Sequence, residues 1–402
     1  MSREVWSALI ADPRKARMPL LRSARFPAVL LLAAAAAGLL LANSPLGDAA
    51  FAVQGAHLGI PGTPLDLSVG HWISDGLLAV FFFTVSVELQ YELTQGELAD
   101  KRRAVQPAIA AAGGVLVPIA VYLAVVAASG QSGQAAGWPI PTATDVAFAL
   151  GVLAVFGRGL PSGVRVFLLA LAILDDIIGI VFIAVLFADG VQAGWLLGAL
   201  LTAAAVAVLT RARDDRMTVG VWAVVVVLSV ATWVFVLASG VHATIAGVLL
   251  GLAMAQLPAL RARHMLEPAV NGLILPLFAL SAALVVIPAV GGALSASFWA
   301  VTLALPVGKL IGIVGGGLLA QRLFGGGSDR LSFGDFAAAG ALGGIGFTVS
   351  LLLAGLAFAG DAAVRDHATL GVLAGSAIAL VASSALVAWR AAYHRRLKAT
   401  AA

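Results

Sequence analysis

Long apolar segments recur along the whole chain and restrict it to one environment. A hydrocarbon core about 30 Å thick needs about 20 apolar residues of helix to cross it. Charged residues make up only 11% of the 402 residues, whereas soluble domains average about 25%. The sequence therefore predicts an all-α polytopic membrane protein. Division at charged or Gly/Pro-rich breaks gives twelve predicted transmembrane helices, near 27–43, 70–92, 105–129, 138–157, 163–188, 194–210, 218–237, 241–258, 266–288, 295–322, 333–358 and 367–391.

The basic residues lie on one side of this arrangement. Of the 24 Lys and Arg residues, 22 fall in the tails or in alternate loops, Arg365 is on the opposite side, and Lys309 is inside the tenth segment. Because cytoplasmic loops carry the excess of Lys and Arg, both termini are predicted to be cytoplasmic. The domain prediction is a membrane domain over 27–391 between cytoplasmic tails at 1–26 and 392–402. A basic balance spread over loops in this way does not predict nucleic-acid binding.

The longest connection on the opposite side, residues 44–69, contains the sequence "GIPGTPLDLSV". Its turn residues and the alternating run that follows are typical of a short β-hairpin. An ordinary external loop is the alternative.

Ionisable residues inside apolar segments are costly, so each is a candidate functional residue. Asp145 lies in the fourth segment, Asp175 and Asp176 lie side by side in the fifth, and Lys309 lies in the tenth. Neighbouring helix residues point about 100° apart. One aspartate can therefore pair with Lys309 while the other faces a water-filled cavity. The alternative is a static ion pair that ties two helices together.

Two segments, one in each half of the chain, are interrupted. The fourth contains Pro139 and Pro141, and the eleventh contains Gly343, Gly344 and Gly346. Unwound backbone at membrane depth occurs only where it lines a cavity or is buried in protein. Such a pair indicates the binding site of a transporter built from inverted repeats. Glycine-mediated helix packing is the alternative for the eleventh segment.

The half-helix ends at such breaks carry opposite partial charges. Asp145 and Lys309 are placed to neutralise them.

Four further residues are weaker candidates. Glu88 and Glu92 end the second segment, and His242 begins the eighth. His264, near Glu267, belongs either to a titrating cytoplasmic cluster or to a solvated loop. The chain has no cysteine, and it contains no P-loop, G-x-S-x-G or H-E-x-x-H motif. We therefore predict a secondary transporter without a cofactor, driven by an ion gradient, and not an enzyme.

Six stretches, in order along the chain, resemble the NhaA family of bacterial sodium/proton antiporters. They are "PTATDVAFALGVLAVFG", "LLALAILDDIIGI", "SGVHATIAGVLLG", "LILPLFAL", "VGKLIGI" and "GGIGFTVSLLLAGLAF". The resemblance implies twelve helices with inverted repeats, in which the unwound fourth and eleventh cross near the midplane. It also implies electrogenic, pH-regulated exchange of Na⁺ or Li⁺ for protons in the bacterial inner membrane. The choice between monomer and homodimer stays open.

The resemblance also implies roles for single residues. Asp176 matches the principal aspartate that binds the ion and carries the proton. Asp175 matches its neighbour, which pairs with the lysine at Lys309, and together the two aspartates form the Na⁺ site. Thr144 and Asp145 match the polar pair of the unwound fourth helix.

Glu88 and Glu92 match acidic residues of a cytoplasmic funnel, and His242 matches a histidine linked to the pH response. The sequence departs from the family around these positions. Leu89, Gln90 and Tyr91 stand where basic residues are common, Ser281, Ala282 and Ala283 replace an Asn-Ala-Gly run, and Leu310 stands where proline often follows the lysine. Arg263 replaces a glutamate linked to pH sensing. These changes leave the predicted ion site intact and affect the expected pH profile.

Exchange requires that Na⁺ and protons compete for the same carboxylates. Two other classes of function remain as alternatives. A sodium-coupled symporter of an organic anion, such as a bile acid, could have this architecture, but it would need an apolar pocket and a cationic group for the substrate. A scaffold or sensor that transports nothing would leave the buried charges unexplained.

Overall fold

Helices make up nearly all the regular structure of this computed structural model, which describes residues 25–99, 101–188, 190–213, 217–287, 294–324 and 330–401. Most of the predicted tail at 1–26 lies outside these residues. The helices are α1 Arg25–Ala42, α2 Gly47–Gly55, α3 Val69–Thr94, α4 Lys101–Ser129, α5 Val146–Phe156, α6 Ser162–Leu186, α7 Ala193–Ala212, α8 Val219–Ala238, α9 Ile245–Ala253, α10 Gln256–Ala282, α11 Ala296–Leu323, α12 Phe333–Gly343, α13 Phe347–Ala357 and α14 Ala362–Ala401.

Short stretches of 3₁₀-helix lie between these helices, and π-helical turns lie within three of them. Short 3₁₀-helices lie at Glu97–Ala99, Ser132–Gly137 and Ile140–Thr142, and π-helical turns lie within α3 at Trp72–Leu77, within α10 at Val270–Ile274 and within α11 at Ala304–Gly308.

Eight helices of the described residues are long and apolar enough to cross a membrane, and the number rises to eleven if each of three bent pairs is one span. The chain is therefore a multi-pass helical membrane protein. The twelve predicted segments are one more than this number. The difference is the eighth segment, 241–258, which contains only the short helix α9 and the first residues of α10. Nine residues of helix are about 14 Å long, less than half of the hydrocarbon core.

The fourth and eleventh segments are both broken. The fourth consists of 3₁₀ turns followed by α5, and the eleventh consists of α12 followed by α13. Each pair is bent by 49° at its break. The backbone at these breaks is buried among other helices, as unwound backbone in a membrane requires.

The connection at 44–69 contains α2 and a short antiparallel pair of strands, β1 His57–Leu58 and β2 Leu67–Ser68. The indole N–H of Trp72, at the start of the π-helical turn of α3, donates to the carbonyl of Leu58 over 2.7 Å. The pair of strands is thereby fixed to the end of a membrane helix.

Glycines let α4 and α11 touch backbone to backbone. A Cβ atom built on Gly113 would lie 2.2 Å from the carbonyl oxygen of Gly312, and one on Gly312 would lie 2.1 Å from that of Gly113. Neither position has room for a side chain. This close approach places Lys309, one turn before Gly312, inside the bundle, where it is fully buried.

The last helix, α14, packs against α12, α13 and the first half of α11. It continues through the predicted tail at 392–402 as far as Ala401. Residues 392–401 are therefore helical.

Candidate functional site

A buried ion pair joins α6 to α11. The ammonium nitrogen of Lys309 lies 2.5 Å from Oδ2 of Asp175, and both side chains have no exposed surface. Of the two adjacent aspartates, Asp175 is thus the partner of the lysine. Lys309 directly follows the π-helical turn Ala304–Gly308, and such irregular turns are frequent at functional sites.

The hydroxyl of Thr144 connects this ion pair to the break of the eleventh segment. It lies 2.7 Å from Oδ2 of Asp175 and 2.8 Å from the carbonyl oxygen of Gly343. A hydroxyl has one proton and donates to one acceptor at a time. The other carboxylate oxygen of Asp175, Oδ1, is buried and has no hydrogen-bond partner among the described residues. Oxygen atoms at the site are therefore available to a further partner.

Asp176 has a different environment from its neighbour. It is only partly buried and lines a cavity of about 280 Å³, which we call the acidic cavity. Its walls include the carboxylates of Asp145, Asp176, Glu88 and Glu267 and the guanidinium of Arg263. A cavity lined mainly by one sign of charge concentrates ions of the opposite sign, so this one attracts cations.

Asp145 caps two helices at once. Its Oδ1 accepts from the backbone N–H of Phe148 in α5 over 3.2 Å. Its Oδ2 accepts from the backbone N–H of Thr348 in α13 over 3.2 Å and from the Thr348 hydroxyl over 2.7 Å. One carboxylate therefore lies at the positive N-termini of both half-helices. The predicted roles of Asp145 in compensating helix ends and in ion binding both stay predictions.

The two breaks contact each other through further hydrogen bonds. The backbone N–H of Asp145 donates to the carbonyl of Ile345 over 2.6 Å. The hydroxyl of Ser350, in the first turns of α13, donates to the carbonyl of Ile140 over 2.7 Å. The described contact of the Lys309 ammonium is with Asp175, so its compensation of a helix C-terminus stays a prediction.

Thr348 lines the acidic cavity and was missed by the sequence analysis. The signal available was its position, two residues after the glycine break in "GGIGFTVS", where a side chain can face the neighbouring half-helix. We expect Thr348→Val to destabilise the protein by about 1–3 kcal/mol, because Asp145 loses a donor in a buried place. Thermal unfolding in detergent measures this.

Thr348→Ser is the matched control for this prediction, because it keeps the hydroxyl and removes only a methyl group. We expect it to unfold close to the wild-type temperature. Equal unfolding temperatures for the valine and serine variants would show that the hydroxyl contributes nothing.

Of the predicted funnel residues, Glu88 is in the acidic cavity and accepts from Arg263 on α10 over 2.7 Å. Glu92, one turn further along α3, is not among the residues that line it. His264 is exposed and lies 3.7 Å from Glu267. The pair of Glu88 and Arg263 was not predicted, because the two residues are 175 positions apart in the sequence.

His242 lies in another part of the protein. It lines a second cavity of about 600 Å³, and its Nε2 is 3.5 Å from a carboxylate oxygen of Asp75. Helix α13 separates the two cavities: Thr348 and Val349 line the acidic cavity, and Leu351 and Leu352 line the second. His242 therefore lies apart from Glu88, and its predicted role in the pH response stays a prediction.

Residues 19–387 match the family model described as Na+/H+ antiporter 1. The chain belongs to the NhaA family. It is 53% identical over 390 residues to "Na(+)/H(+) antiporter NhaA 2" of Clavibacter michiganensis, covering 95% of this chain and 94% of the relative. It is 45% identical over 381 residues to "Na(+)/H(+) antiporter NhaA 1" of Saccharopolyspora erythraea, covering 91% and 90%. The NhaA protein of Tropheryma whipplei is 42% identical over 373 residues, covering 90% and 93%.

Membership of the NhaA family confirms the resemblance found in the sequence, and it makes the chain a membrane transporter rather than an enzyme. Asp175, Asp176 and Lys309, from two of the stretches that carry the resemblance, meet at the ion pair or line the cavity beside it.

Proposed function

We propose that the chain exports Na⁺, or Li⁺, in exchange for protons by alternating access, and that the exchange is electrogenic and regulated by pH. The observation that carries this proposal is the different environment of the two adjacent aspartates. Asp175 is neutralised by Lys309 at 2.5 Å, whereas Asp176 faces an acidic cavity. One carboxylate thus supports the structure and the other is accessible to ions.

In this mechanism Asp176 holds either a sodium ion or a proton. Hard cations take oxygen ligands, and carboxylate, hydroxyl and carbonyl oxygens of Asp176, Thr144 and Gly343 lie in or beside this part of the protein. Asp175, with one buried oxygen free of hydrogen bonds to the described residues, is proposed as the second carboxylate of the site. Because the two ions compete, exchange falls as protons displace sodium at low pH.

We place both termini in the cytoplasm and propose twelve helices in two inverted repeats, with the broken fourth and eleventh crossing near the midplane. The one-sided distribution of Lys and Arg supports this orientation. The hydrogen bonds between the two breaks support the crossing. With this orientation the acidic cavity opens to the cytoplasm, and the strands β1 and β2 lie outside.

The remaining predicted roles belong to the same proposal. Asp145 compensates the N-termini of α5 and α13, Glu88 and Glu92 attract ions on the cytoplasmic side, and His242 and His264 take part in the pH response. Glu88 lies 2.7 Å from the guanidinium of Arg263. Because Arg263 stands where the family pattern has a glutamate, we expect the pH response at Glu88 to differ from that pattern.

An organic anion symporter is less well supported. Four carboxylates, including that of Asp176, line the acidic cavity, and their field repels an anion. A sodium ion or a proton fits the same field.

The proposal predicts sodium movement driven by a pH gradient alone. Proteoliposomes with an acidic interior should accumulate ²²Na⁺ without any organic solute, and a protonophore combined with a potassium ionophore should stop this accumulation. Currents on solid-supported membranes with Na⁺, Li⁺ and K⁺ at several pH values test electrogenicity and ion preference. Sodium flux that requires an organic anion, or no flux at all, would contradict antiport.

A further inference from the structure

A buried polar cluster joins the start of α12 to the end of α14, far from the ion pair. Oδ1 of Asp335 accepts from Nε and Nη2 of Arg390 over 3.2 and 3.1 Å, and it lies 2.9 Å from Nε2 of His394. Oδ2 of Asp335 accepts from the hydroxyl and backbone N–H of Ser332 over 2.7 and 3.1 Å. The Asp335 and Arg390 side chains are 4% and 7% exposed, so the pair is shielded from water.

The same residues form the N-terminal cap of α12. Ser332 and Asp335 make a reciprocal capping box, in which each side chain binds the backbone N–H of the other. The Nη2 of Arg390 also donates to the hydroxyl of Ser332 over 2.6 Å. Arg390 therefore contacts both members of the cap, and its contacts fix where α12 begins.

Helix α12 connects this cluster to the ion site. It runs without a break from Phe333 to Gly343, about 15 Å of helix. At its far end the carbonyl of Gly343 accepts from Thr144, whose hydroxyl also reaches Asp175. A shift of α12 along its axis moves this carbonyl relative to the aspartate.

Few side chains of α12 are large enough to interlock with neighbouring helices. Its sequence, FGDFAAAGALG, is mostly glycine and alanine, and such small residues let neighbouring helices approach closely. The large, fully buried exceptions are Phe336, which packs edge-on against Phe167, and Leu342. The polar contacts at the two ends of α12 therefore act together with this packing in setting its position.

Helix α14 holds both halves of the broken segment. Arg390 binds the start of α12, and the hydroxyl oxygen of Ser376 accepts from the backbone N–H of Phe347, the first residue of α13, over 3.2 Å. The two contacts are 14 residues apart, about 21 Å along one helix. A single continuous helix thus sets the spacing of two separate half-helices.

We propose that Arg390 is a positioning residue for cation binding: through Asp335 it fixes α12 on α14 and so sets the place of the Gly343 carbonyl beside Thr144 and Asp175. This proposal rests on the proposed sodium/proton exchange. The residue touches neither the cation nor the aspartates, and its effect on the site passes through the position of α12.

The experiment measures the half-saturating Na⁺ concentration and the maximal exchange rate at one fixed pH in proteoliposomes. We expect Arg390→Ala and Arg390→Lys to raise the half-saturating concentration about threefold or more, within the range for changes that act through packed elements. Lysine keeps the charge and loses the fork that binds Asp335 through two nitrogens. Arg395→Ala is the matched control, because this exposed arginine, on the same helix, donates to the carbonyl of Arg158 outside the cluster.

A double-cysteine variant tests the same role if removal of Arg390 destabilises the protein. The native chain has no cysteine, so Gly334→Cys combined with Arg390→Cys introduces the only thiols. A Cβ atom on Gly334 would lie 2.8 Å from the Cδ of Arg390, so the two positions adjoin once the arginine is shortened. We expect a raised half-saturating concentration when the thiols are reduced and a return toward the wild-type value when a disulfide ties α12 to α14.

The outcomes separate the two proposals. If the wild-type protein moves no sodium, the proposed function fails. If the wild-type protein exchanges ions, and the folded Arg390 variants and the reduced double-cysteine variant keep its half-saturating concentration, the positioning role is wrong. A lower maximal rate or lower yield with unchanged sodium affinity assigns Arg390 a purely structural role and also overturns it.

Discussion

Asp176→Asn is expected to abolish sodium/proton exchange while the protein stays folded. Asparagine has nearly the same shape but no charge, and it cannot exchange a proton for a cation. Asp176 lines the acidic cavity and is not part of the Lys309 ion pair, so its neutralisation leaves no buried charge without a partner. We expect ²²Na⁺ exchange in proteoliposomes to fall to the background rate of protein-free liposomes.

Asp48→Asn is the control for this result, because it is the same substitution at an exposed aspartate of α2. It should leave exchange and thermal unfolding at the wild-type level. Exchange by a correctly folded Asp176→Asn protein against a pH gradient would show that another group carries the ion.

Lys309→Ala is expected to destabilise the protein more than any other single change described above. The substitution leaves Asp175 without its cation in a site with no exposed surface. Loss of one partner of a buried ion pair costs about 3–5 kcal/mol, because the other charge remains in a medium that cannot solvate it. Thermal unfolding in detergent should show a large drop in the unfolding temperature, with a smaller effect on Na⁺ affinity in the protein that remains folded.

A double substitution separates the ion pair from simple loss of the lysine side chain. Asp175→Asn combined with Lys309→Ala removes both charges, so it should unfold at a higher temperature than Lys309→Ala alone. This non-additivity is the expected sign of a direct interaction. An unchanged unfolding temperature for Lys309→Ala, or additive effects of the two substitutions, would contradict the pairing.

The sequence predicted candidate residues and breaks wherever a residue type is energetically unfavourable in a membrane helix. The cost of charge in hydrocarbon singled out Asp145, Asp175, Asp176 and Lys309, and the structure has the first at the meeting point of two half-helices and the other three together at the ion pair and its cavity. Glycine and proline located both broken segments. These signals are local, because each depends on one residue in an unfavourable surrounding.

Pairings between distant segments could not be predicted in this way. Glu88 with Arg263 and Asp335 with Arg390 are contacts between residues at or outside the ends of the predicted membrane segments. Polar groups cost little at the ends of membrane segments, so the sequence does not single out either pair as energetically costly. Apolar periodicity shows which residues are in the membrane and does not show which helices are neighbours.

The short helix α9 illustrates the same limit. The eighth segment is apolar enough to suggest a full span, but its last carbonyls bind side chains from other helices. The amide of Gln90 donates to the carbonyl of Leu252 over 2.9 Å, and Arg211 donates to that of Ala253 over 3.0 Å. These contacts supply hydrogen bonds to the last carbonyls of α9, so the helix can end at Ala253. They form only in the folded bundle.

The cap that Asp145 forms on two helices has a consequence for the valence of the cation. Each helix N-terminus carries about +0.5 of an elementary charge, so the two ends together balance the carboxylate of Asp145. Asp175 is balanced by Lys309, and Glu88 by Arg263. Of the carboxylates that line the cavity, those of Asp176 and Glu267 are left over among the described residues, and Glu267 lies 3.7 Å from His264. We expect a monovalent ion at Asp176 to neutralise that carboxylate, which is the charge balance required by the proposed Na⁺ or Li⁺ exchange.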